Sequence, residues 1–165
     1  MCIRDRFLKD AFKILMNGTE DDVIDYIEQC RKEFKSLPPA EVAFPRTVSN
    51  VEKWKSSSDM YLKGCPIHVR GAILYNHWTK KKEIDHKYAS INNGEKIKFC
   101  YLKTPNWMHE NVISFIQDFP TELDLDKHID YELQFSKSFL EPVKVILDCI
   151  GWETERKNTL DSFFS

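Results

Sequence analysis

A complete helix signal runs from Thr19 to Pro39, and it constrains the fold more than any other feature of the chain. Thr19 suits an N-cap, and Glu20, Asp21 and Asp22 place carboxylates in the first turn, where they complement the helix dipole. Val23, Ile27, Cys30 and Phe34 then recur at helical spacing, Arg31, Lys32 and Lys35 crowd the end, and Pro38-Pro39 stops the run. Such a helix has one apolar stripe that must be covered by other elements. A chain of 165 residues can provide that cover, since a domain of this size buries about 70% of its unfolded surface. With 42% apolar residues and 11 Phe, it is too hydrophobic to remain disordered.

The remaining elements follow from the same kind of reading. Phe7 to Met16 predicts a short helix closed by Asn17-Gly18, and Ser49 to Glu52 fits an S-x-x-E capping box opening a brief helix at Asn50. Ser56-Ser57-Ser58 reads as a loop. Pro66 suits the first turn of a helix through Ile67 to Trp78, with Lys80-Lys81-Lys82 directed to solvent. Asn92-Asn93-Gly94 is a turn signal, and Ile97, Phe99 and Tyr101 alternate with Lys96, Lys98 and Cys100, predicting a strand. Ile129, Tyr131, Leu133, Phe135 and Phe139 predict a further helix, and Val143, Ile146, Leu147 and Ile150 another that starts at Pro142 and ends near Gly151. Helices around a small antiparallel sheet make the fold class α+β, mostly helical, with a short C-terminal tail.

The net charge of −2 conceals an internal division. Residues 46 to 108 carry 12 Lys+Arg against 5 Asp+Glu, whereas residues 109 to 165 carry 5 against 12. A basic middle third suits a polyanion such as a phosphate backbone, and equally a mixed solvated surface. The five cysteines form no C-x-x-C pair, so neither a zinc site nor a dense disulfide framework is signalled, and a reducing cytoplasm fits. Apolar runs such as Val143 to Leu147 fall far short of the roughly 20 residues a membrane helix needs. Met1 to Arg6 is too short and too charged for a secretory signal and resembles translated sequencing-adapter sequence. The expected organisation is therefore a non-biological leader over 1–6, one domain over 7–152 and a flexible tail over 153–165, the chain being the end of something longer.

Residue patterns for catalysis are incomplete. His68, His77, His86, His109 and His128 never form H-E-x-x-H, there is no P-loop or G-x-G-x-x-G, and Ser57 lacks a nucleophile-elbow context. Asp124-Leu125-Asp126 has the alternate carboxylates that hold metal ions in phosphoryl transfer, but with Glu122 before it and a helix soon after, those acids serve equally as dipole partners. No metal or catalytic residue is assigned. In Lys63-Gly64-Cys65-Pro66-Ile67-His68-Val69-Arg70-Gly71-Ala72, His68 and Arg70 lie about 200° apart on a helix, which excludes a flat catalytic cluster. Around a loop-to-helix entry, Lys63, His68 and Arg70 can straddle a phosphate backbone, with helix N–H groups adding to the contact. Alternatively, Arg70 pairs with a core-edge carboxylate.

Val48-Ser49-Asn50-Val51, followed by the segment from Lys63 to Ala72 and by Leu74-Tyr75-Asn76, resembles the thumb subdomain of family B DNA polymerases of tailed phages. The likeness continues through Gly94 to Lys98, the region from Tyr131 to Val143, and Thr159 to Phe164. It implies a thumb-type, non-catalytic fragment that grips primer-template duplex, contacting it through Ser49, Asn50, Lys53, Lys63, His68, Arg70 and Asn76. It also implies a nucleotidyltransferase parent that uses Mg2+, with palm and other domains as partners, in the cytoplasm of an infected bacterium. Polymerases of this kind end in a peptide that docks on a sliding clamp, a role that here falls to Leu160, Phe163 and Phe164. The chain itself then needs no cofactor and no membrane. The competing expectation is a free-standing adaptor that binds a protein partner through its hydrophobic C-terminal peptide.

Overall fold

A computed structural model describes residues 2–157. It divides the chain into two compact units, one built from residues 2–37 and 135–157, the other from Pro38–Gln134. The fold is α+β, with seven α-helices and one three-stranded antiparallel sheet among the described residues.

The first unit is helical. Helix α1 spans Ile3–Asn17 and α2 spans Glu20–Lys35. Thr19 and Asp22 form a reciprocal capping box at the start of α2, the Asp22 amide donating to Thr19 Oγ1 at 3.3 Å and the Thr19 amide to Asp22 Oδ2 at 2.8 Å. Val23, Ile24, Ile27, Cys30 and Phe34 form the buried stripe of α2. The chain returns to this unit at Phe135, the last residue of α6 (Tyr131–Phe135), and continues through a wide π-type turn (Ser136–Leu140) into α7 (Glu141–Ile150). The two helices expected here are thus joined, and the wide turn explains how. In a regular helix the ring of Pro142 would press on the Ser138 carbonyl, and adding a residue to the turn relieves that contact. Phe7, Phe34, Phe135 and Phe139 interlock edge-on or tilted, with centroids 5.3 to 5.7 Å apart. Phe135 also carries the Arg31 guanidinium over its ring at 5.1 Å.

The second unit holds the sheet. Helix α3 (Pro39–Val42), strand β1 (Phe44–Thr47), helix α4 (Val51–Trp54), helix α5 (Ile67–Lys81), β2 (Lys96–Tyr101) and β3 (Val112–Phe115) follow in chain order. The strand order is β1-β2-β3, with Phe44 opposite Phe99 and Phe99 opposite Ser114. The long helix α5 crosses the sheet over β3, and Gly71 permits it: a Cβ there would lie 2.4 Å from Ser114 Oγ and 2.8 Å from the Ser114 backbone nitrogen. Ser114 Oγ donates to the His68 carbonyl at 2.8 Å, fastening the first turn of the helix to the strand. On the opposite face, α3 accepts from the sheet: Lys98 Nζ donates to the Ala40 carbonyl at 3.1 Å.

Several expectations are corrected. The S-x-x-E box at Ser49 does not form. Asn50 takes the N-cap position in left-handed backbone (φ 58°), the Val51 amide is met by Asn93 Oδ1 at 2.8 Å, and Glu52 pairs with Lys55 at 2.6 Å. Helix α5 starts one residue after Pro66 and runs a turn past Trp78. Ile129 is extended and bridges Leu102 rather than opening a helix. Helix α1 begins at Ile3, ahead of Phe7.

Candidate nucleic-acid interface

The residues singled out for a polyanion all lie in the second unit, and α5 sorts them into two groups. At its N-terminal end stand Lys63, His68 and Arg70. The approach to the helix turns at Lys63-Gly64, where Gly64 has φ +86°, a left-handed conformation that favours glycine. Lys63 is exposed and makes no ion pair among the described residues, and the first turn of α5 contains no acidic residue. The amides of that turn form the positive end of the helix, and Lys63 stands four residues before it in sequence.

His68 and Arg70 are more deeply engaged. The His68 ring lies 6.4 Å from that of Phe99, and burial, together with the nearby Arg46 cation, pushes its pKa below the ordinary value. It therefore enters neutral solution as an uncharged hydrogen-bonding group. Arg70 Nη2 donates to Asn111 Oδ1 at 2.5 Å, and its guanidinium lies 5.6 Å from the Tyr61 ring centre. Tyr61 in turn donates to Glu110 Oε1 at 2.7 Å. Arg70 is thus half-buried in a network that joins the segment before α5 to the segment before β3, while its Nε is buried without a partner among the described residues.

The second group, Ser49, Asn50, Lys53 and Asn76, gathers around the 92–94 turn. The Gly94 amide donates to the Val48 carbonyl at 2.8 Å and the Val48 amide to the Glu95 carbonyl at 3.0 Å, which holds the loop after β1 against the turn. Asn76 Nδ2 donates to the Ile91 carbonyl at 2.9 Å and Asn76 Oδ1 accepts from the Ile91 amide at 2.7 Å, so this side chain ties α5 to the same turn. Ser49, Asn50 and Lys53 are exposed. Beside them opens a cavity of about 530 Å³ lined by Lys55, Asn76, Lys80, Asn92 and Asn93 among others. His68 and Asn76 are eight positions apart, which separates the groups by about 12 Å along the helix.

The unit gathers acids from 109–134 beside its basic stretch, yet few of its cations are neutralised. Lys55, Lys87 and Lys127 pair with Glu52, Glu122 and Asp124. Lys53, Lys63, Lys80, Lys81, Lys82, Lys96 and Lys103 make no ion pair among the described residues. Asp124 and Asp126 are exposed, Asp124 lies 3.3 Å from Lys127, and no group of three potential metal-binding side chains is gathered among the described residues. No described helix is long and apolar enough to cross a membrane. All five cysteines are free, and burial pushes the Cys30 and Cys100 thiols up to about 11 and about 12.

Leu160, Phe163 and Phe164 lie outside the described residues. The chain leading toward them is held along α2: the Glu153 amide donates to Glu20 Oε1 at 2.8 Å, and Arg156 reaches Asp25 at 2.7 Å.

Reasoning from sequence alone missed the aromatic surroundings of Arg70 and the indole pair formed by Trp78 and Trp107. The Lys80-Lys81-Lys82 run next to Trp78 was the available signal for the second.

No protein-family model matches the chain. Over 161 residues, 95% of its length, the chain is 25% identical to a DNA-directed DNA polymerase of Enterobacteria phage T4. The matched stretch is 17% of that protein, so the chain spans a small part of the relative to which it is similar.

Proposed function

We propose that this chain is the C-terminal thumb region of a phage-type DNA polymerase and that its work is to grip primer-template duplex. The observation that carries the reading is the similarity to a phage DNA polymerase along 95% of the chain, which includes the Lys63–Ala72 segment. Its geometry supports the same reading. That segment forms a loop-to-helix entry whose first-turn amides and Lys63 have no partner among the described residues and whose first turn holds no acid, the combination that receives a backbone phosphate.

On this reading Lys63, Ser49, Asn50 and Lys53 reach the sugar-phosphate backbone from the surface. His68 contributes a neutral hydrogen bond, and Arg70 and Asn76 spend their remaining donors on DNA while holding the fold. The Mg2+-dependent nucleotidyl transfer belongs to the parent's palm. The tail brings Leu160, Phe163 and Phe164, three and four positions apart, to the sliding clamp as one apolar plug. Anisotropy of a labelled blunt hairpin titrated with the full chain at low salt tests the grip. Weak binding with affinities equal within about twofold for unrelated sequences is expected, because phosphate contacts carry no sequence information. No binding at micromolar protein, or strong sequence preference, would contradict it.

A further inference from the structure

The far end of α5 carries an arrangement that the duplex contacts do not use. Trp78 and Trp107 meet edge-on, with ring centres 4.8 Å apart and planes at 89°. Lys81 Nζ stands 4.7 Å from the Trp78 ring centre and Lys82 Nζ 4.4 Å from that of Trp107. His77 is exposed and abuts Trp78 edge-on at 5.1 Å.

Three observations separate this cluster from ordinary packing. First, the lysines are uncommitted: Lys80, Lys81 and Lys82 are exposed, and neither Glu83 nor Asp85, which follow closely, forms an ion pair with them. Glu122, next to the Leu123 whose carbonyl Trp107 meets, is taken by Lys87 and Tyr88. Second, Trp107 is fixed in place, its Nε1 donating to the Leu123 carbonyl at 2.8 Å. Third, Trp78 Nε1 is buried with no partner among the described residues. A phenylalanine would pack there without stranding a donor, so packing alone does not account for an indole.

We propose that Trp78 and Trp107, with Lys81 and Lys82, form a binding site for single-stranded nucleic acid. Both indoles are half-buried against the core, and each ammonium lies by the ring of one of them, on the part an unpaired base would take. When a base stacks there, the ammonium swings outward to the flanking phosphate, so one side chain guards the face and then neutralises the charge that comes with the base. Perpendicular rings cannot receive two bases that remain stacked on each other. The partner is therefore a flexible single strand, and weakly stacking pyrimidine runs fit better than purine runs. A duplex, whose base faces are covered, gains nothing from the indoles. The site does not depend on the duplex-grip reading and lies at the opposite end of α5 from Lys63.

The test is tryptophan fluorescence of the full chain titrated with a dT12 oligonucleotide, a dA12 oligonucleotide and a blunt hairpin. Quenching by dT12, weaker quenching by dA12 and little by the hairpin are expected. Lys81→Gln with Lys82→Gln, both exposed, should weaken dT12 binding about tenfold and leave hairpin affinity within about twofold. Trp78→Phe, which loses no hydrogen bond, should remove a large part of the dT12 quench. Absence of quenching, an equal loss of dT12 and hairpin binding in the lysine variant, or an undiminished quench in Trp78→Phe would overturn the proposal.

Discussion

Lys63 and Arg70 are seven positions apart in sequence, yet their surroundings assign them different work. Lys63 is exposed and makes no ion pair among the described residues, so Lys63→Gln should leave the urea midpoint almost unchanged, within about 0.5 kcal/mol. Arg70→Gln removes a cation from the Tyr61 ring and a donor from Asn111, and should cost about 1 to 2 kcal/mol in the same measurement. Equal stability of the two variants would show that the Arg70 network is incidental. Glu122 offers a pH-dependent counterpart. Hydrogen bonds from Lys87 and Tyr88 pull its pKa down to about 2. Because the folded value lies below the ordinary carboxylate value of about 4.3, the stabilisation is complete above that pH and disappears as the pH falls through about 2. The stability gap between the native chain and Glu122→Gln should therefore shrink as urea melts are taken from about pH 5 down to about pH 2. A gap that stays constant would mean that Glu122 is not held as described.

Among the elements, the meeting of α5 with β3 is the tightest joint in the second unit. Gly71→Ala would drive a methyl group into Ser114 Oγ and, behind it, into Ser114 backbone, which cannot rotate away. A loss of about 1 to 3 kcal/mol is expected, and Ser114→Ala should recover only part of it because the backbone contact remains. Full rescue, or no loss in thermal melts, would contradict this packing. The sequence makes α2, α5, the 92–94 turn and β2 legible because each carries a local signal: a cap, a 3.6-residue period, a turn residue or strict alternation. Strand β3 lacks one, since Val112, Ile113, Ser114 and Phe115 are all buried and nothing alternates. Strand β1 is four residues long and includes Pro45, so it carries no local signal and forms through pairing with β2 far along the chain. The same reason hides much of the candidate site. Lys63 is recognisable from its neighbours, but Arg70 meets Asn111 and Trp78 meets Trp107 only once α5 has been laid across the sheet.

The charge division of the chain acquires meaning once ion pairs are considered alongside sequence totals. The second unit brings acidic residues from 109–134 next to the basic stretch, yet most of its lysines make no ion pair among the described residues, as the proposed phosphate contacts require. Beyond the described residues, the tail carries a separate claim. If, as proposed, the chain ends a phage-type polymerase that docks a clamp, removing Leu160 to Ser165 from that polymerase should leave single-nucleotide addition intact and abolish clamp-stimulated processive synthesis, because docking at high effective concentration needs only a weak apolar peptide. Equal clamp stimulation with and without the tail would refute it. The proposed duplex grip is best judged by its salt dependence. If about five cations meet phosphates, a plot of log affinity for a blunt hairpin against log salt should fall with a slope of roughly −4 to −5. Lys53→Gln with Lys63→Gln should flatten it by about two units while leaving the fold intact. A slope near zero in the native chain, or one unchanged in the double variant, would contradict the account.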